Sequence, residues 1–250
     1  MEKKIKIKKK TILITGASGF IGNALFSKLS NDKYNVIGID NLARNKNRKN
    51  NKIIVGSIFN KNLLKKLIKK ADIIIHLAAI NGTRNFYNIP SKVFEVSLRG
   101  TLVLYECLKE LKNKNKKILL ASSGEVYGEP SKIPTDENIP LIVSDILNDR
   151  YSYGGGKICQ DLIARFLISS VVNECIVFRP HNVYGPDMGF DHVIPELIYK
   201  SIRQKKILNI EGTGKETRSF CYIDDMIEGI YKLLHSNYTK PMNLRNPEEI

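Results

Sequence analysis

The 250-residue chain has no tryptophan, four cysteines, four histidines, and fewer acidic than basic side chains (25 against 40). Each shortage excludes something. Cys107, Cys159, Cys175 and Cys221 stand apart with no C-x-x-C pair, which argues against a disulfide framework and predicts reduced, mostly buried thiols. His76, His181, His192 and His235 share no ligand spacing with one another or with cysteine, so no metal is expected. No apolar run approaches the ~18 residues that a membrane span needs. The basic start MEKKIKIKKK leads into TILIT and glycines, without the apolar stretch and cleavage site of a secretory signal. A cytoplasmic protein with no membrane partner is expected.

The net charge of +15 invites a nucleic-acid partner. Yet the runs KKIKIKKK, RNKNRKNNK and KNKNKK carry no interleaved aromatics. They read as solvated faces, so nucleic acid is not the expected partner, and a phosphate-bearing small ligand suits the charge equally well. Apolar residues make up 42% and charged residues 26%, the balance of a globular chain with an ample core.

What the chain does have is alternation. Strand-like runs at TILIT (11–15), YNVIGID (34–40), KIIVGS (52–57), DIIIHLAA (72–79), KILLASS (117–123) and CIVFR (175–179) are separated by helical patterns. Those patterns start near Phe20 and cover 63–71, 91–111 and about 153–172. Near-continuous apolar strands between helices predict a parallel sheet covered on both faces, a doubly wound, Rossmann-like α/β fold. After Pro180 the pattern loosens into a Gly/Pro-rich loop, a helix near 193–204, a short strand ILNI (207–210) and a helix near 224–235. Residues 1–179 are assigned to the cofactor domain, which also carries the catalytic residues. Residues 180–250 are assigned to a smaller substrate lobe, partly interleaved with it. Asn-Pro-Glu-Glu at 246–249 reads as the start of one more helix, so the lobe is expected to be incomplete.

Two stretches carry chemistry. GASGFIG (16–22) follows the first strand and opens the first helix. Gly16 suits a tight turn, Gly19 close approach to a pyrophosphate, and Gly22 tight helix–strand contact, with the helix N-terminus facing the phosphates. Asp40 ends the second strand, placed to accept from an adenosine ribose and to repel a 2′-phosphate. That favours NAD over NADP, with Arg44 nearby as a counterweight. YSYGGGK (151–157) looks like a phosphate loop but is not one, because Ile158 follows the lysine where such a loop needs Ser or Thr. Its useful spacing is Tyr153 to Lys157, one helical turn on one face. A phenol near pKa 10 is a poor base. The neighbouring ammonium and a positive nicotinamide are expected to favour the phenolate, which then takes a proton from a substrate hydroxyl. Gly154, Gly155 and Gly156 are expected to leave room for cofactor and substrate.

The spacing G-x-x-G-x-x-G, with HLAA (76–79), SSGEVYG (122–128), Tyr153 and Lys157, RPHNVYGP (179–186) and ETRSFCYIDD (216–225), resembles the extended short-chain dehydrogenase/reductase family. The likeness is to its nucleotide-sugar epimerases, dehydratases and decarboxylases, over nearly the whole chain. It implies NAD held by Gly16, Ser18, Gly19, Phe20, Ile21, Gly22, Asp40, Asn41, Ser57, Ile58, Leu77, Ala78, Ala79, Tyr153, Lys157 and Pro180. It implies catalysis by Ser123, Tyr153, Lys157 and Glu125. A nucleotide-diphosphate sugar would meet Ser123, Asn182, His192 and Arg218. In such dehydratases an aspartate precedes the glutamate, and here Gly124 stands there, which lowers 4,6-dehydration. Glu125 keeps decarboxylation open, and 4-epimerisation needs neither acid. Ser57 and Ser97 depart from the family's usual aspartate and asparagine. A homodimer is the expected assembly. The alternative of another class is a noncatalytic relative that binds nucleotide or RNA, against which the retention of Ser123, Tyr153 and Lys157 counts.

Overall fold

The computed structural model describes residues 9–44, 53–190, 192–203, 208, 210 and 212–250. Two of the basic runs lie almost wholly outside these residues. So do Ile207 and Asn209 of the expected ILNI strand, while Leu208 and Ile210 are in no strand.

Seven parallel strands form the main sheet in the order β3-β2-β1-β4-β5-β6-β9. They are β1 (Thr11–Thr15), β2 (Asn35–Asp40), β3 (Ile53–Val55), β4 (Ile73–His76), β5 (Lys117–Ala121), β6 (Glu174–Pro180) and β9 (Met242–Leu244). Alternate side chains feed opposite faces. Ile12, Ile14, Ile73, Ile75, Leu119, Ile176 and Phe178 join one core with α1 (Phe20–Ser30) and α8 (Ile223–His235). Leu13, Ile74, Ile118, Leu120 and Val177 join the other with α2 (Lys61–Lys70), α4 (Pro90–Leu111) and α5 (Tyr151–Ile163). Local chemistry sets the helix ends. Asn60 caps α2 by accepting the Leu63 N–H at 3.1 Å. Pro90 opens α4, where its missing N–H costs nothing.

Several elements were not legible in advance. The short helix α3 (Thr83–Asn88), the pair β7 (Val183–Tyr184) and β8 (Cys221–Tyr222), and the edge strand β9 are brief. The helix expected over 153–172 is α5, a π turn (Ala164–Ile168) and α6 (Ser169–Val171) in succession. The helix α7 (Val193–Arg203) is present. The helix expected from Asn246 is not: Ile250 exchanges backbone hydrogen bonds with Arg218 at 3.0 and 2.8 Å, an extended pairing that satisfies groups a first helical turn would leave free. No helix among the described residues is long and apolar enough to cross a membrane.

Candidate active site

The candidate site is built from loops at the carboxyl ends of the parallel strands, around the switch between β1 and β4 where the strand order reverses. Gly16 takes φ +72°, and a Cβ on it would lie 2.9 Å from Ala78 N. A Cβ on Gly22 would stand 2.1 Å from the Gly16 carbonyl oxygen, so the turn closes only with glycine. Gly19 caps α1 without a side-chain acceptor, leaving the first-turn N–H groups of Phe20 and Ile21 for an anion. Ser18 is buried, and its Oγ has no partner among the described residues. The Ser18 N–H donates to Asp40 Oδ2 at 2.9 Å and the Leu42 N–H to Oδ1 at 2.7 Å. Each carboxylate oxygen keeps a second lone pair. Asn41 turns its own loop, accepting the Ala43 N–H at 3.1 Å. A glycine cradle that a Cβ would fill, an orphaned hydroxyl beneath it and an acidic strand end together fit a dinucleotide.

Leu77, Ala78 and Ala79 follow β4 and are held by a buried polar chain. Thr15 Oγ1 lies 2.8 Å from His76 Nδ1 and accepts the Ala78 N–H at 3.3 Å. Thr101 Oγ1 lies 3.5 Å from His76 Nε2, donates to the Ser97 carbonyl at 2.8 Å and accepts from Gln160 Nε2 at 2.5 Å. Burial pushes His76 down to about 3, and the Lys157 charge adds to this; the imidazole is neutral. Ser57 accepts the Phe59 N–H at 3.1 Å, and Ile58 is buried against Gly100. Ser97 is fully buried with Oγ unpartnered among the described residues.

Beyond β5 come Ser122 and Ser123, then a 3-10 turn (Gly124–Tyr127) carrying Glu125. Tyr153 and Lys157 on α5 are 6% and 2% exposed. Tyr153 stacks on Phe86 with ring centres 4.7 Å apart and planes 12° apart. Lys157 Nζ donates to the Ala121 carbonyl at 2.8 Å and lies 5.6 Å from the Tyr153 ring centre. Burial lowers Lys157 to about 8, opposed by the Asp161 charge. The expected lowering of Tyr153 is not found. Burial pushes the phenol up, a hydrogen bond with Ser123 opposes this, and the Glu125 charge adds to it. Withdrawal from water outweighs the hydrogen bond with Ser123.

Arg150, just before α5, was missed in the sequence; its position ahead of Tyr153 was the available signal. Its Nη2 lies 3.0 Å and its Nε 3.3 Å from Glu125 Oε2. The Glu125 charge raises the Arg150 pKa, with burial opposing. Glu125, Arg150, Gly154 and Arg218 line one cleft of about 270 Å³. Asn182 and His192 are not in its lining. Asn182, at φ +35°, donates its amide to the Ser219 carbonyl at 3.0 Å, and His192 Nε2 lies 3.4 Å from Arg44 Nη2. A larger apolar cleft, about 500 Å³, lies between α7 and the β7–β8 pair, away from Tyr153. The glycines also need correction. A Cβ on Gly154 would stand 2.9 Å from the Glu125 carbonyl and one on Gly156 3.1 Å from Ser97 Cβ. Those two admit neighbouring segments of the protein, and only Gly155, with Val143 Cγ2 at 3.6 Å, has space around it.

The family model for the NAD dependent epimerase/dehydratase family matches residues 12–244. Among curated proteins, the chain is 31% identical over 247 residues to "UDP-glucuronic acid decarboxylase 1" of Xenopus tropicalis, covering 96% of this chain and 57% of that protein. It is 33% identical over 234 residues to "dTDP-D-glucose 4,6-dehydratase" of Dictyostelium discoideum, covering 86% and 53%. The chain thus spans a little over half the length of these two relatives. Among solved structures, UDP-glucuronic acid 4-epimerase from Bacillus cereus, in complex with UDP-glucuronic acid and NAD, superposes with a TM-score of 0.79 at 29% identity, covering 96% and 79%. UDP-N-acetylglucosamine 4-epimerase from Methanobrevibacter ruminantium M1 gives 0.82 at 25%, covering 98% and 79%.

Proposed function

Because the chain belongs to the NAD-dependent epimerase/dehydratase family, we propose that it oxidises C4 of a nucleotide-diphosphate sugar transiently, with 4-epimerisation as the net reaction. The observation that carries this reading is the buried Tyr153 of α5, with Lys157 one turn along the same helix and Ser123, just past the end of β5, beside it. Bound NAD would supply a hydride acceptor that later returns the hydride. Gly16, Gly19 and the first turn of α1 would hold its pyrophosphate, Asp40 its ribose, and Leu77 to Ala79, Ser57, Ile58 and Pro180 its flanks. Tyr153 takes the C4 hydroxyl proton while Ser123 orients that hydroxyl. Lys157 stabilises the phenolate through its charge and can donate to a ribose hydroxyl. Tyr153 keeps the proton and gives it back when C4 is reduced from the other side. Arg218, with its planar fork, suits the diphosphate; Asn182 and His192 lie outside the cleft that Arg218 lines, so no substrate contact is assigned to them.

A second reading, decarboxylation of a hexuronate, is favoured by Glu125 clamped to Arg150 next to the Tyr153 helix. Dehydration is disfavoured because Gly124, just before Glu125, carries no acid to protonate a leaving hydroxyl. We further propose a cytoplasmic homodimer joined through the outer faces of α4, α5 and the π turn that follows α5, where Phe94, Leu162 and Phe166 are 37%, 50% and 68% exposed.

The test is incubation with NAD and UDP-, dTDP-, GDP- and CDP-sugars, UDP-glucuronate included, followed by NMR of the products. Inverted C4 supports epimerisation; CO₂ release with a pentose product supports decarboxylation. Tyr153→Phe is expected to lower turnover by about 10²–10⁴-fold. No turnover of any sugar by the unaltered protein overturns the reading.

A further inference from the structure

Four residues beyond Lys157, on the same face of α5, sits a third buried polar side chain. Asp161 is 7% exposed, and its Oδ2 accepts from Arg179 Nη2 at 2.8 Å and Nε at 3.2 Å. Arg179, in β6, is 3% exposed and donates from Nη1 to the Tyr127 hydroxyl at 2.7 Å. Tyr127, at the end of the 3-10 turn that carries Glu125, donates on to Asn243 Oδ1 at 2.8 Å. A buried ion pair is a weak stabiliser, since the desolvation of two ions offsets most of their attraction. Simple packing therefore gives little reason for charge here. The second Asp161 oxygen, Oδ1, has no hydrogen-bond partner among the described residues.

We propose that Asp161, oriented by Arg179, is a positioning residue that keeps the buried Lys157 protonated, and through it governs when Tyr153 can act as a base. The argument rests on the Tyr153–Lys157 reading of the site. Tyr153, Lys157 and Asp161 form a stripe at helical spacing of four, all within 7% exposure. The charged and titratable groups around Lys157 come from three elements. Tyr153 and Asp161 share its helix, His76 faces it from β4 as a neutral ring, and Arg179 stands behind Asp161 on β6. The other neighbours are uncharged: the Ala121 carbonyl of β5, and Ser97 of α4 across Gly156. Asp161 is the anion of this set, and its charge opposes the burial that brings Lys157 to about 8. Burial raises the Asp161 pKa and the Arg179 charge opposes this; the 2.8 Å ion pair with Arg179 is what favours the carboxylate form.

The test reads the lysine directly and needs no substrate. In protein carrying ¹³C at lysine Cε and saturated with NAD, one resonance is expected to titrate well below the rest, and Lys157→Met identifies it by its disappearance. Asp161→Asn is expected to raise the acid dissociation constant of that lysine about tenfold or more, and Asp161→Glu to return it to within about twofold of the original. Should Asp161→Asn fail to fold, Asp161→Asn/Arg179→Met removes both charges, and a change in the same direction but smaller is expected, because the more distant cation that opposed the carboxylate is lost with it. A folded variant without Asp161 whose lysine titrates as before overturns the inference. Absence of turnover in the sugar panel would instead overturn the enzyme reading and leave the titration result standing. Where turnover is found, the alkaline limb of kcat against pH should move to lower pH in Asp161→Asn, which a purely structural pair would not cause.

Discussion

His76 shows how a single side chain ties the cofactor turn to stability. It is 1% exposed, neutral, and held between Thr15 and Thr101. Its folded pKa, about 3, lies below the 6.5 of a free imidazole. Above pH 6.5 both folded and unfolded forms are neutral there and no pH dependence arises. Between about 6.5 and 3 the unfolded chain binds a proton that the folded one does not, so stability falls with pH, by up to about 1.4 kcal/mol per pH unit. Urea unfolding across this range should show a shallower slope in His76→Gln than in the unaltered protein, and equal slopes would refute the assignment. HLAA was legible as a motif, but the role of its histidine was not. That role depends on Thr101 and Gln160, which reach it from α4 and α5.

At the scale of elements, two glycines of equal prominence in the sequence part company. Gly22→Ala places a methyl 2.1 Å from the Gly16 carbonyl oxygen, which no side-chain movement relieves. A loss of about 2 kcal/mol or more is expected in thermal unfolding, with weakened NAD binding. Gly155→Ala meets Val143 Cγ2 at 3.6 Å, an ordinary contact, inside α5. There alanine is expected to stabilise by about 0.5–1 kcal/mol, and a drop in melting temperature would contradict this. Long elements with clear periods, such as β1, β4, β5 and α4, were readable because each carries its own apolar pattern. The two-residue strands β7 and β8 have no period to read, and β9 exists because β6 offers it an edge.

For the whole molecule, the strand order brings the glycine turn after β1, Asp40 of β2, Leu77 to Ala79 after β4 and Ser123 after β5 to the carboxyl edge of one parallel sheet. It also leaves α4 and α5 side by side on one face with Phe94, Leu162 and Phe166 exposed. Sedimentation should report a dimer, and Phe166→Glu should shift it toward monomer at micromolar concentration, since a buried unpaired carboxylate opposes association. A monomeric unaltered protein would remove the dimer proposal.

By itself, the sequence determined the doubly wound architecture, the glycine turn that fits a dinucleotide, and the pairing of Tyr153 with Lys157. All three are local: a run of apolar residues, a spacing of glycines, one turn of helix. Only the tertiary structure decided that Arg150 clamps Glu125, that Asp161 and Arg179 stand behind Lys157, and that Tyr153 is pushed up rather than down. Those outcomes depend on which strands lie side by side and how much water they exclude, and sequence spacing carries neither quantity.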